Sequence, residues 1–486
     1  MLTDNLINDR HNACRKKVEN RMLKTEVQQY GLDTRKLGGY YGVDRNAAIL
    51  TRFRDAEFHS MLGQMAWLAQ IPEWEIKKQT GRFLNDDAVH ADQLRARLRE
   101  LRRPPRRQLR SGPDFTSFLW LLEQAPDHVS FLAGIYRVLK PKLVSAYHHH
   151  IQRTDPISDE PTVKLLERLI GDLEKQIRYM EGAIQLLTSE SSVAHGVSGW
   201  VETLEDAFNR SGGLIMDADI DVLEADDETA TLSSEAPYWT PVTLAARDPK
   251  RFRRCSHAEG IKYVVGMKAA ENMMWQWHQQ SDNEMMAGEL GAASARENLD
   301  MPWQFFMDLA RLTWDEVRHT EIFEKRLEAL GGYIGMYPVL PGNYAYRMSL
   351  DYPMRATDLH LMGEARGQLA LLARRETHGI FGDDLSSKMF DYIHADEDGH
   401  VRLGKVWVTE YLLDNVPGKA KRLLEEVYHS REVHGGVIGV PFVLKPKGNN
   451  NDDDIANILK EMFPEKVAEF ERVSPNMKDA LKRALD

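Results

Sequence analysis

The sequence has few cysteines, no long apolar run and no excess of basic residues. Its two cysteines, Cys14 and Cys255, are too few for a disulfide framework or a thiolate zinc site, which is typical of a reducing cytoplasm. No run of about 18 apolar residues occurs, which argues against export and membrane spanning. The 63 Lys and Arg against 74 Asp and Glu give a net charge of −11, which argues against a nucleic-acid partner. We therefore expect a cytoplasmic protein with no membrane or nucleic-acid partner.

The 486 residues show a helical periodicity of apolar residues. Apolar residues recur at three- and four-residue spacing through 44–103, 115–150, 159–190, 258–295, 302–330, 356–379 and 384–414. The intervening Gly/Pro-containing, partly acidic stretch predicts an irregular linker with a short strand or two. The pattern predicts an all-α protein with four parts: a helical region over 1–190, a linker over 191–257, a four-helix bundle with a long crossover over 258–433, and a C-terminal tail and helix over 434–486. We expect that tail to be a solvated appendage, and the alternative is a lid.

Two short motifs carry the chemistry: WDEVRH at 314–319 and ADEDGH at 395–400. Each places a glutamate and a histidine three residues apart, and residues at this spacing share one face of a helix. Carboxylate and imidazole together suit iron, so two such motifs supply four of the ligands of a two-metal site.

Two further glutamates complete the predicted set. Glu284 lies 32 residues before Glu316, and Glu364 lies 33 residues before Glu397. Glu284 shares its helical face with small and apolar residues, where an isolated carboxylate is costly and a metal is a natural partner. Glu289 shares its face with polar residues, and we expect it in solvent. The predicted ligands are Glu284, Glu316, His319, Glu364, Glu397 and His400.

An aspartate precedes the glutamate of each motif. We predict that Asp315 accepts a hydrogen bond from His400 and Asp396 from His319, because a ligating histidine usually donates its other ring N–H to a carboxylate. Arg318 is predicted to form a salt bridge with one of these aspartates; the alternative is that it is only a surface arginine.

The glutamates, together with DEVRH and DEDGH, resemble the ferritin-like di-iron carboxylate superfamily, which includes rubrerythrins and the ribonucleotide reductase small subunit. GEARG and DEDGHVRLGKVW resemble in particular a bacterial ferritin-like family of largely unassigned function. The resemblance covers 258–414. It implies two iron ions that react with O2; ligand sets of this type also accept a Mn/Fe pair.

The N-terminal half resembles the C-terminal half. NDDAVHADQLRARLREL aligns with WDEVRHTEIFEKRLEAL at a constant offset of 229 residues, which places Asp87 and His90 on the first motif. At an offset of 224, Leu173 and Gln176 replace the second motif's ligands, and Lys140 falls at the position of Glu364. This predicts two tandem ferritin-like four-helix bundles, the first degenerate and without a complete metal site. The alternative is shared helical periodicity without duplication.

The ligand set favours an O2-dependent non-haem di-iron oxidase or oxygenase. Its catalytic group would be the two-metal centre, and its substrate would be a small organic molecule. An external donor would supply the electrons. A ferroxidase or iron-storage protein is the alternative, and a radical generator that uses Tyr392 is a third hypothesis. Exposed helical faces are compatible with a homodimer.

Overall fold

The computed structural model describes residues 35–102, 112–215, 232–256, 259–260, 266–438 and 451–483. These residues form helices and connections, and no strand occurs among them. An isolated parallel bridge joins Arg254 and Val339. The prediction of an all-α protein is confirmed, whereas the short strands predicted in the linker are absent from its described residues. None of the described helices combines the length and the apolar character that a membrane span requires.

The first group of helices runs from residue 43 to residue 210. It comprises α1 (Val43–Trp67), α2 (Trp74–Glu100), α3 (Pro113–Glu123), α4 (His128–Ala133), α5 (Lys140–Arg153), α6 (Glu160–Leu187) and α7 (Ser191–Arg210), with a π-helical segment, Gly134–Leu139, joining α4 to α5. The prediction of an irregular linker is wrong over Ser191–Arg210, which forms helix α7. Val197 and Leu204 lie seven residues apart on one face of α7, and both are buried in the core that α3 and α4 share.

The second group contains the helices that carry the two motifs. It comprises α8 (Leu232–Glu235), α9 (Ala269–Glu297), α10 (Trp303–Ala329), α11 (Gly342–Met348), α12 (Tyr352–Ala356), α13 (Ala365–Ile380), α14 (Asp384–Gly404), α15 (Pro417–Ile438), α16 (Asn451–Met462) and α17 (Val467–Arg483). π-Helical segments Thr357–Glu364 and Lys405–Leu412 join α12 to α13 and extend α14. Helix α9 packs on α10, α13 on α14, and α10 on α14.

The two groups pack directly against each other. Helix α1 contacts α9, and α2 contacts α10. One hydrophobic core contains Phe58 and Leu84 from the first group together with Phe305 and Leu309 from the second. Helices α2 and α10 approach so closely that a Cβ on Gly81 would lie 2.5 Å from Val317 Cγ2. Because Val317 follows Glu316, the first group supports a motif helix directly.

The C-terminal helices belong to the packed structure. Ile455, Ile458 and Leu459 form an apolar stripe on α16 and are buried against the second group's core. Helix α16 contacts α9 and α13, and α17 contacts α13. The expectation of a solvated appendage is therefore wrong for α16 and α17, because this stripe at i, i+3 and i+4 spacing requires a partner. The rest of the predicted tail, over 439–450 and 484–486, lies outside the described residues.

Candidate metal centre

The structure brings the six predicted ligands together in the interior of the second group. Their ligand atoms form two sets, and within each set all atoms lie within 4.8 Å of one another. One set comes from Glu284 of α9, Glu316 and His319 of α10, and Glu397 of α14. The other set comes from Glu316, Glu364, Glu397 and His400. Glu316 and Glu397 belong to both sets of ligand atoms, so they lie between two adjacent candidate positions for a cation.

Each histidine faces both shared carboxylates. His319 Nδ1 lies 3.3 Å from Glu316 Oε2 and 3.6 Å from Glu397 Oε1. His400 Nδ1 lies 3.3 Å from Glu397 Oε2 and 3.5 Å from Glu316 Oε1. The two halves of the cluster are therefore nearly equivalent, as expected for a pair of ions that share two carboxylates.

Several atoms that face the centre of the cluster lack hydrogen-bond partners. These buried atoms are Glu316 Oε2, Glu364 Oε1, Glu397 Oε2, His319 Nδ1 and His400 Nδ1. Buried polar atoms in proteins nearly always have a partner, so a concentration of unpartnered oxygen and nitrogen atoms suggests bound cations. The residues thus fit a pair of metal ions on an observation that does not depend on the sequence motifs.

The pKa values of the cluster show the cost of its negative charge. Burial, together with repulsion from Glu397 and Glu284, raises the pKa of Glu316 well above its ordinary value. Burial also raises the pKa of Glu284. Although burial alone would lower the pKa of His400, Asp315 and Glu397 raise it well above its ordinary value. Added positive charge is therefore favoured at this position.

The aspartates face the histidines that the sequence assigns to them. Asp396 Oδ2 lies 3.2 Å from His319 Nε2, within hydrogen-bond distance. Asp315 Oδ2 lies 3.7 Å from His400 Nε2, which is longer than a hydrogen bond. Arg318 pairs with both aspartates, at 2.7 Å from Asp396, so its predicted salt bridge is present. Each imidazole thus has a carboxylate behind it and the cluster in front.

Two neighbours of the cluster are missing from the sequence prediction. Gln280 Nε2 donates a hydrogen bond to Glu284, and His360 Nδ1 lies 2.7 Å from Glu364 Oε2. Although burial raises the pKa of Glu364, the charge and hydrogen bond of His360 bring it below its ordinary value. Both neighbours lie four residues before the glutamate they contact, and this spacing on a helix was the available signal.

The structure corrects the expectation for Glu289. This side chain is fully buried, and it pairs with Lys77 and with Arg247, whose Nη1 lies 2.7 Å away. Its partners come from α2 and from the segment before α9, so helical periodicity within α9 could not reveal them. Tyr392 is 72 % exposed on the outer face of α14, which places it away from the cluster.

The first group of helices contains a related polar cluster with a different centre. Glu57, Asp87 and His90 lie close enough to hold an ion. Fully buried Lys140 places its ammonium 2.7 and 2.8 Å from the two carboxylate oxygens of Asp87, and it also contacts Gln176. Burial lowers the pKa of His90, but Glu57 and other neighbours raise it to about 10. Lys140 and His90 thus place two basic side chains beside the carboxylates of Glu57 and Asp87, and the absence of a metal site in this group of helices stays a prediction.

Residues 222–431 match a family described as "Protein of unknown function (DUF455)". The matched segment contains all six predicted ligands and both aspartates that face the histidines. No curated protein and no solved structure matches the chain.

Proposed function

We propose that this protein is an O2-dependent non-haem di-iron oxidase or oxygenase that acts on a small organic substrate. The observation that carries the proposal is the pair of ligand groups that share Glu316 and Glu397 and contain unpartnered buried atoms. Glu284 and His319 would hold one ion, and Glu364 and His400 the other. An iron pair, or a Mn/Fe pair, supplies O2 activation when bound, with electrons from an external donor.

The proposal includes the architecture. We infer that the chain consists of two tandem ferritin-like four-helix bundles, of which the second retains the metal site. Helices α1 and α2 pack together as α9 and α10 do. Asp87 and His90 lie 13 and 16 residues after the first residue of α2, and Glu316 and His319 lie 13 and 16 residues after the first residue of α10. Duplication explains why both halves place a polar cluster in a helical interior.

The chain's own residues supply charge and orientation. Four carboxylates carry the charge that two divalent ions require, so occupancy by such a pair would remove the repulsion that raises the pKa of Glu316. Asp396 accepts a hydrogen bond from His319 Nε2, which leaves Nδ1 of the same ring directed toward the cluster. Gln280 and His360 hold the carboxylates of Glu284 and Glu364 from one helical turn away.

The test is metal content per chain in protein from iron-supplemented cells, combined with O2 consumption after anaerobic reduction. We expect two irons per chain and O2 uptake in the wild type. Glu316→Gln and His400→Ala should lose both properties while retaining the helical circular dichroism spectrum. Asp398→Asn is the matched control, because Asp398 is exposed beside Glu397 on the same helix.

The alternatives give different results. About four irons per chain would show that the cluster of Glu57, Asp87 and His90 also binds metal. Turnover of iron far beyond two ions per chain would favour a ferroxidase. Absence of iron, or full loading of Glu316→Gln and His400→Ala, would contradict the proposal.

A further inference from the structure

The polar cluster in the first group of helices surrounds a cation that belongs to the protein. We call it the lysine cluster, and its members are Glu57 of α1, Asp87 and His90 of α2, Lys140 of α5 and Gln176 of α6. All five side chains are buried. Charges at this depth must be balanced by groups inside the protein, because water cannot reach them.

The ammonium of Lys140 contacts the atoms that a metal ion would contact. Nζ lies 2.7 and 2.8 Å from the two carboxylate oxygens of Asp87, and it also donates to Gln176 Oε1. In the alignment of the two halves, Asp87 corresponds to Glu316, and Gln176 corresponds to His400. Lys140 therefore places a positive charge of its own between two positions that carry predicted metal ligands in the second group.

The other ligand atoms of the lysine cluster converge as well. Glu57, Asp87 and His90 each offer one ligand atom, and these atoms lie within 4.8 Å of one another. His90 Nδ1 lies 3.5 Å from Glu57 Oε1, and neither His90 Nδ1 nor Glu57 Oε2 has a hydrogen-bond partner. Two carboxylates and an imidazole suit a divalent transition-metal ion. The cluster thus combines the ligands for one ion with a lysine beside them.

The supporting aspartates of the metal centre also have counterparts around the lysine cluster. Asp172 stands at the alignment position of Asp396, and its Oδ2 lies 3.8 Å from His90 Nε2. Asp86 aligns with the aspartate of the other motif, and it accepts a hydrogen bond from Gln176 Nε2 at 3.2 Å. The first group of helices therefore retains the surroundings of a metal site and differs from the second group in the middle of the cluster.

We propose that the lysine cluster is a latent site for one divalent transition-metal ion, from which Lys140 excludes the ion by supplying the positive charge itself. An ion bound by Asp87 would lie beside the ammonium, and two cations at this separation repel each other strongly inside a protein. Without the lysine charge, the carboxylates of Glu57 and Asp87 would favour a metal ion in its place. The comparison with the second group rests on the proposed function, whereas the ligands and the lysine belong to the first group itself.

The test is equilibrium dialysis of the full chain against cobalt(II), with bound cobalt counted per chain. Lys140→Met nearly keeps the length of the side chain and removes its charge, so we expect it to bind one cobalt ion more than the wild type. Without metal, this variant should melt at a lower temperature than the wild type, and added cobalt should reverse the shift. Lys142→Met is the control, because Lys142 is a partly exposed lysine on the same helix that pairs with Glu205. Its cobalt count should equal that of the wild type.

Two double variants locate the additional ion. His90→Ala in the Lys140→Met background should remove it, whereas Glu316→Gln in the same background should leave it bound. The measured quantity is the difference between Lys140→Met and the wild type, so a second group that binds no cobalt would contradict the proposed function without deciding this proposal.

A further variant guards against misfolding of Lys140→Met. Lys140→Gln removes the charge but still offers a hydrogen-bond donor to Asp87, and it should gain the same ion. The proposal is overturned if folded Lys140→Met and Lys140→Gln bind no more cobalt than the wild type. It is also overturned if the wild type already holds an ion that His90→Ala removes, because Lys140 would then not exclude it.

Discussion

At the scale of single residues, the orientation of His319 depends on Asp396 of the opposite helix. Their atoms lie 3.2 Å apart, and Asp396 is 18 % exposed, so it can be replaced without leaving a buried cavity. Asp396→Asn should weaken iron affinity roughly 10- to 100-fold, because a neutral amide holds and polarises the imidazole less well. Titration against a competing chelator would measure the change. Asp398→Asn serves as the control, and equal affinities in the two variants would show that Asp396 does not position His319.

The same residues show what spacing within a helix can predict. The sequence predicts that Glu316 and His319, three residues apart, belong to one cluster, and the structure brings them together. The polar neighbours of Glu289 on its own helix predict a side chain in solvent, and this prediction is wrong because Lys77 and Arg247 pair with Glu289 from distant parts of the chain. Periodicity identifies which residues share a face, but it does not identify what another segment brings to that face.

At the scale of helices, a close contact between α14 and the π-helical segment Thr357–Glu364 positions Glu364. A Cβ on Gly404 would lie 2.7 Å from His360 Cβ and 3.1 Å from atoms of Leu361. Gly404→Ala should therefore push the π-helical segment away from α14 and displace Glu364 and His360. We expect a loss of about 1–3 kcal/mol in the free energy of unfolding, as for other overpacked sites, and loss of one of the two irons.

Gly399 provides the matched control on the same helix. A Cβ added there meets nothing within 4 Å, so Gly399→Ala should stabilise the protein by about 0.5–1 kcal/mol through helix propensity alone. Urea unfolding and iron content would be measured for both variants. Opposite signs in unfolding free energy are expected, and equal behaviour would exclude a steric role for Gly404.

The sequence predicts the presence of the long helices better than it predicts every helix or its type of backbone hydrogen bonding. The apolar pattern placed a helix over 302–330, and the structure has Trp303–Ala329. The apolar pattern did not predict α7, because Gly196 and Gly199 are residues typical of a loop. Both glycines are exposed on α7, whereas Val197 and Leu204 form a buried stripe that stabilises the helix. The π-helical segment that ends at Glu364 could not be predicted, since a one-residue shift in backbone hydrogen bonding leaves no clear mark in composition.

At the scale of the whole molecule, the two groups of helices depend on each other for burial. Phe58 and Leu84 share a core with Phe305 and Leu309, and separation would expose this surface on both sides. The buried ion cluster of Lys77, Arg247 and Glu289 crosses the same contact. Neither group can lose its structure without leaving apolar surface and unpaired charge on the other.

We therefore expect the chain to unfold in one cooperative transition, measured by scanning calorimetry. Glu289→Gln should shift that whole transition downward, at a cost of about 3–5 kcal/mol, because it leaves buried cations without their partner. Glu321→Gln is the control: Glu321 also pairs with α2, through Arg82, but both side chains are partly exposed, so its loss should cost about 1 kcal/mol or less. Two resolved transitions, with only one of them shifted by Glu289→Gln, would contradict this coupling, because a single shared core transmits a defect at its contact surface to both groups of helices.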